Sequence, residues 1–134
     1  MAGYSETPLI KKLGIKEGMK ISIINVTEDF WKEISEMPEV TVVAKPTKEM
    51  DFILSFSDSK KEFERNFPKL GKMLKSNGML WIGWPKKASK IPTDLGENII
   101  RDVGLANELV DVKVCAITEK WSGLKFVIPV KDRQ

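Results

Sequence analysis

The chain has no histidine, one cysteine and one tyrosine among its 134 residues. Without histidine, Ser-His-Asp and Cys-His nucleophilic catalysis, imidazole general bases and every His-containing zinc site are excluded. The single cysteine, Cys115, excludes an internal disulfide and any multi-cysteine metal site. It falls mid-strand in Val114-Cys115-Ala116-Ile117, where a thiol packs as a small apolar group rather than acting as a nucleophile. Acid–base work is left to Asp, Glu, Lys and Tyr4. Carboxylates with magnesium-site clustering are missing too, so no metal is expected. Apolar runs reach only strand length, and no charged-then-apolar leader opens the chain. The expectation is a cytoplasmic protein with no membrane partner.

Glycine is lacking where a nucleotide cofactor needs it. The first strand is followed by Asn25-Val26-Thr27-Glu28-Asp29, with no residue that lets the backbone close on a ligand. Glu28 and Asp29 would also repel a diphosphate. No Gly-x-x-x-x-Gly-Lys-Ser/Thr loop occurs elsewhere. No conventional cofactor is expected.

What is present suits one folded domain spanning 1–134, with an apolar share of 42% and a charged share of 31%. Net charge is only +3, and the signs interleave. Lysines form short clusters, such as Lys69, Lys72 and Lys75, rather than a stripe. Nucleic-acid binding is therefore disfavoured.

Residues 1–18 read as a polar lead-in with a short helix, Pro8 at its first position and Gly14 after it. Met19 to Asn25 is a strand. Thr27 caps a helix carrying Phe30, Trp31, Ile34 and Met37 inward, with Pro38 ending it. Val40 to Val43 and Asp51 to Phe56 are the second and third strands. Ser59-Lys60-Lys61-Glu62 is a capping box. It opens a helix with Phe63, Phe67, Leu70 and Leu74 on one face, which Pro68 is expected to kink or divide. Asn77-Gly78 punctuates, Met79 to Trp84 is a buried strand that includes Trp81, and a helix runs from about Asp94 to Val103. Val110 to Thr118 and Leu124 to Val130 form a hairpin about Glu119-Lys120-Trp121-Ser122-Gly123.

Alternating strands and helices that end in a hairpin predict an α/β three-layer sandwich, with a mostly parallel sheet of about six strands and an antiparallel closing hairpin. In topology this resembles the Rossmann-like core of S-adenosylmethionine-dependent methyltransferases. Ligands of such sheets lie beyond the carboxyl ends of the strands. Those ends bring Asn25, the loop Trp84-Pro85-Lys86-Lys87 and the turn at Trp121-Ser122 to one edge. Lys86 and Lys87 are candidates to hold an anion, with Thr93 or Asp94 capping the helix beyond. The other reading makes Lys86, Lys87 and Lys90 a solvated loop. Trp84 and Trp121 either wall a ligand or pack the sheet ends. Asp111 and Glu119, flanking the fifth strand, are acid or base candidates or simply solvated.

Three segments also resemble a family of short, mostly bacterial proteins, domain-of-unknown-function family 3052. They are Ala2-Gly3-Tyr4-Ser5 with Thr7-Pro8-Leu9 and Lys11-Lys12-Leu13-Gly14-Ile15, then Trp84-Pro85-Lys86-Lys87-Ala88-Ser89 with Thr93-Asp94-Leu95, then Lys113-Val114-Cys115-Ala116-Ile117 with Trp121-Ser122-Gly123-Leu124. The resemblance implies no activity, substrate or catalytic residue. The leading expectation is a non-catalytic binding or regulatory domain, recognising a small anion or a protein partner at the Trp84/Lys86/Lys87/Trp121 edge. The alternatives are a small transferase-like enzyme using Lys or carboxylate chemistry there, and a weak nucleic-acid binder. A free edge strand would also allow a homo-oligomer.

Overall fold

The computed structural model describes residues 7–133, so Tyr4 and the segment Ala2-Gly3-Tyr4-Ser5 lie outside the described residues. The elements are α1 (Leu9–Leu13), β1 (Lys20–Ile24), α2 (Glu28–Glu33), β2 (Thr41–Val42), β3 (Met50–Phe56), α3 (Lys60–Gly71), β4 (Leu74–Pro85), α4 (Glu97–Ala106), β5 (Val110–Ala116) and β6 (Trp121–Val127). They build one six-stranded sheet in the order β2-β1-β3-β4-β6-β5. Strands β1 to β4 pair in parallel, and β6 runs antiparallel between β4 and β5. The expected α/β sandwich with its closing hairpin is the architecture found.

Local chemistry explains most boundaries. Gly14 ends α1 in the left-handed region at φ 89°, which glycine adopts without a Cβ penalty. The Ser59 hydroxyl accepts from the Glu62 backbone N–H at 3.3 Å, as the capping box requires. Helices cover both sheet faces. Phe63, Phe67 and Leu70 of α3 and Ile100 of α4 pack on Leu80, Ile82, Trp84, Leu124 and Phe126. Leu9 and Leu13 of α1 and Phe30 of α2 pack on Ile21, Phe52, Leu54, Phe56 and Trp81. The fully buried Trp81 indole donates to the Leu13 carbonyl at 2.9 Å, joining the end of α1 to the central strand.

Several boundaries differ from expectation. Helix α2 stops at Glu33, because Ile34 is already extended. A six-residue helix presents one narrow face to the sheet. Phe30 occupies that face, and Trp31 is 50% exposed rather than core. Pro68 neither divides nor ends α3, which continues to Gly71. Glu64, one turn earlier, is exposed, so water can reach the carbonyl that Pro68 leaves without a donor. Strand β4 begins at Leu74 and runs through Asn77-Gly78, which is a bulge rather than a turn. A Cβ at Gly78 would stand 2.6 Å from the Met50 carbonyl oxygen, so that strand crossing needs glycine. Strand β6 starts at Trp121, leaving a tighter turn than the sequence suggested.

Helix α4 meets β6 at Gly104, where an added Cβ would lie 2.0 Å from Cε1 of the Phe126 ring. That ring is fully buried and stacks edge-on against Phe67 at 5.2 Å, so it has nowhere to move. Gly104→Ala gains about 1 kcal/mol of helix propensity and loses about 1–3 kcal/mol to overpacking. A net loss of stability is expected in urea denaturation; an unchanged or higher midpoint would show that α4 does not approach β6 this closely.

Candidate functional site

The carboxyl edge of the sheet carries two clefts rather than one. The register sets Trp84 opposite Ser122 and Pro85 opposite Trp121. Side chains alternate along a strand, so Trp84 belongs to the α3/α4 face and Trp121 to the α1/α2 face. Of the two readings of these tryptophans, packing of the sheet ends is the one found. Each tryptophan packs its own layer, 7% and 8% exposed.

The larger cleft, about 580 Å³, lies beside the lysine loop. Trp84, Lys86, Lys87, Lys90, Thr93, Ser122 and Glu97 are among its lining. The loop is built by its own hydrogen bonds. Lys86 N–H donates to the Lys120 carbonyl at 2.9 Å, tying the loop to the β5–β6 turn. Lys87–Ser89 form a single 3-10 turn, and the Ser89 hydroxyl donates to the Lys86 carbonyl at 2.6 Å. Lys90 then adopts φ 63°, reversing the chain toward Ile91. Three ammonium groups thus stand on a defined backbone.

Helix α4 begins at Glu97 with Gly96 as its cap, not at Thr93 or Asp94. Thr93 and Asp94 instead fasten the loop to the next strand end. The Thr93 hydroxyl donates to the Asp58 carbonyl at 2.6 Å and accepts from Leu95 N–H at 3.0 Å. Asp94 accepts from the Lys60 N–H at 2.7 Å, so it caps α3, a helix distant in sequence. The expected cap of α4 is therefore neither Thr93 nor Asp94. Glu97 occupies that first turn, and Arg101 binds its carboxylate while also donating to Asp111 at 2.8 Å. This bond to Arg101 holds the Asp111 carboxyl below the usual carboxylate range and removes it as a free acid or base. Glu119 is exposed in the turn.

The smaller cleft, about 310 Å³, lies where the strand order reverses, between β1 and β3. Asn25, Thr27, Phe56, Ser57, Asp58 and Trp121 line it. Asn25 sits at φ 54° and reaches the Phe56 carbonyl at 3.4 Å, bridging the two strands. Phe56 packs edge-on against Phe30 at 5.7 Å and Trp121 at 5.3 Å, which fills the floor with rings. Asp29, at the start of α2, turns its carboxylate to the Thr27 hydroxyl. Its Oδ2 is sealed from water. Burial pushes this carboxyl up, but Thr27, Thr118, its own backbone N–H and Lys120 outweigh burial and hold it below the usual range. Thr118 accepts from the N–H groups of Lys120 and Trp121, both at 3.1 Å, which leaves its proton free to face Asp29.

Of the sequence-predicted site residues, Trp84, Lys86, Lys87, Thr93 and Ser122 meet in one cleft, Asn25 and Trp121 in the other, and Asp94 caps α3. Asp29 and Thr118, which the sequence reading did not pair, interact at the start of α2 without lining either cleft; a Thr-x-Asp pair opening a helix was the available signal for Asp29. Cys115 is half-buried, and burial raises its thiol against the opposing pull of Lys113 and Lys12. Lys69 and Lys72 lie at the far end of α3 from the loop, and Lys75 pairs with Asp51 at 3.3 Å. No metal-holding cluster occurs among the described residues. No helix among them is long and apolar enough to cross a membrane.

This sheet is the one found in S-adenosylmethionine-dependent methyltransferases. A methyltransferase of that kind from Aquifex aeolicus superposes with a TM-score of 0.57 at 15% identity, over 88% of this chain and 86% of that one. A TehB-like enzyme from Corynebacterium glutamicum gives 0.60 at 12%, over 95% and 90%. Magnesium protoporphyrin IX methyltransferase from Synechocystis PCC 6803, solved with bound S-adenosylmethionine, gives 0.59 at 9%, over 90% and 74%. At these identities the likeness is one of fold. No family model and no curated protein matches the chain.

Two outcomes test this geometry. Asp94→Ala removes a cap of α3 and is expected to cost about 1 kcal/mol in denaturant unfolding; no loss would mean that the tether is unformed. For Asp29 the folded pKa lies below the unfolded value of about 3.9. Its contribution to stability is therefore present above that value and lost as pH falls through the folded pKa. Thr27→Val should move the Asp29 carboxyl resonance to titrate at higher pH in NMR, and an unmoved titration would remove Thr27 as its partner.

Proposed function

We propose that this methyltransferase-like fold is a non-catalytic binding domain that takes an anionic small molecule in the lysine-loop cleft. One observation carries the reading: the place where such sheets receive a cofactor is narrowed by the protein's own side chains to about 310 Å³. There the glycine turn is replaced by Asn25 to Asp29, and Phe56 and Trp121 line the cleft with rings. The roomier cleft lies on the other face and sits well within the size range of small-molecule sites, whereas the β1–β3 cleft is at its lower limit.

The chemistry of that cleft favours binding over turnover. Lys86, Lys87 and Lys90 supply positive charge, while Trp84, Pro85, Ile91 and Pro92 supply apolar surface. The carboxylate in its lining, Glu97, is engaged by Arg101 and is not a free base. A ligand with a carboxylate or phosphate on a short apolar body matches both features.

A thermal-shift screen of acyl-type anions, nucleotides and S-adenosylmethionine tests the reading. An acyl-type or phosphate-bearing anion at about 100 times its Kd adds about 2.7 kcal/mol of stability. The gain should vanish in the Lys86→Ala, Lys87→Ala double variant. Stabilisation by S-adenosylmethionine that survives the double variant would place the ligand at the β1–β3 cleft and overturn the proposal.

A further inference from the structure

A second basic cluster lies away from the carboxyl edge, on the face covered by α1. It gathers Lys12 from α1, Lys16 from the turn beyond it, Lys113 from β5 and Lys125 from β6. Lys113 and Lys125 are direct register partners across the antiparallel pair. The Lys113 ammonium reaches the Lys12 carbonyl at 3.0 Å. Lys125 in turn sits opposite Trp81, whose indole bonds the Leu13 carbonyl, so α1 is fixed beside it. Segments Lys11 to Ile15 and Lys113 to Ile117, prominent in the sequence and unused by the lysine-loop cleft, meet here.

Like charges directly opposite on a sheet destabilise it. The charges acting on the half-buried Lys125 are Lys113 and Lys16, both of its own sign, and burial with these two lowers its pKa. Among the described residues, none of the four lysines has an ion-pair partner. Lys113 also serves as a donor to the end of α1, where a cation is favourable. Lys12, in the last turn of α1, is favoured in the same way. Lys16 and Lys125 add repulsion that no ion pair among the described residues offsets.

We propose that Lys12, Lys16, Lys113 and Lys125 form a separate site for a compact multivalent phosphate, the chemistry shared by inorganic polyphosphate and the phosphate tail of a nucleotide. Compactness follows from the placement: the lysines converge on one register pair and one helix end rather than tracking along a surface, as a nucleic-acid backbone needs. Several ammonium groups on one spot match several charges on one small ion.

The probes are inorganic tripolyphosphate and ATP at low salt, read by thermal shift. Tripolyphosphate should raise Tm by on the order of 5 °C at saturation, and salt should weaken the effect. The shift should persist in Lys86→Ala, Lys87→Ala and disappear in Lys125→Met. Lys16→Gln, at an exposed turn, should reduce it and keeps the test valid if Lys125→Met fails to fold. Without ligand, Lys125→Met should melt higher than the parent, since it removes repulsion and keeps the buried stem. An equal shift from ATP assigns recognition to the phosphate chain, and a larger one assigns the nucleotide as the source. No shift from either probe, or one that survives Lys125→Met and Lys16→Gln, overturns the site. So does a shift lost only in the lysine-loop variant, which would move the phosphate to the cleft of the proposed function.

Discussion

The alternation of side chains along β4 is the constraint on which the rest depends. Trp81 points to one layer and Ile82 and Trp84 to the other, and β6 repeats the pattern in register with Trp121 and Leu124. This splits one carboxyl edge into two chemically different clefts. It also gives each helical layer a large aromatic residue to close on: α1 is fixed by the Trp81 indole, and α3 and α4 by the Phe67–Phe126 stack. A one-residue slip of β6 would exchange the faces and dismantle both layers.

The loops depend on that frame, and they are tied to one another rather than left to solvent. Thr93 and Asp94 hold the lysine loop to the start of α3, and Lys86 holds it to the β5–β6 turn. A loop held in this way has less entropy left to lose in any contact it makes. At the β1–β3 cleft Phe56 and Trp121 take up the floor and leave about 310 Å³.

Legibility in the sequence followed the range of the interactions. Short-range chemistry was readable: the Ser59 box, Gly14 after α1, the period of α3 and the buried run of β4. Readings failed where a distant partner decided. Asp94 looks like the cap of the helix that follows it and instead caps α3, because the fold brings Lys60 nearer than α4. Trp31 has helical spacing for the core, yet Phe30 takes the only inward position on a short helix. Asn77-Gly78 has the composition of a turn, and only the passage of Met50 makes it a bulge.

The sequence by itself determined the class of fold, the absence of imidazole chemistry, the missing glycine turn and the loop that carries Lys86 and Lys87. These rest on residue type and on spacing within a few positions, which the chain carries locally. Tertiary structure alone decided which face each tryptophan takes, which helix Asp94 caps, and that Lys113 meets Lys12 and pairs with Lys125. Each of those depends on strand register and crossover, which bring together residues as far apart as Lys12 and Lys113.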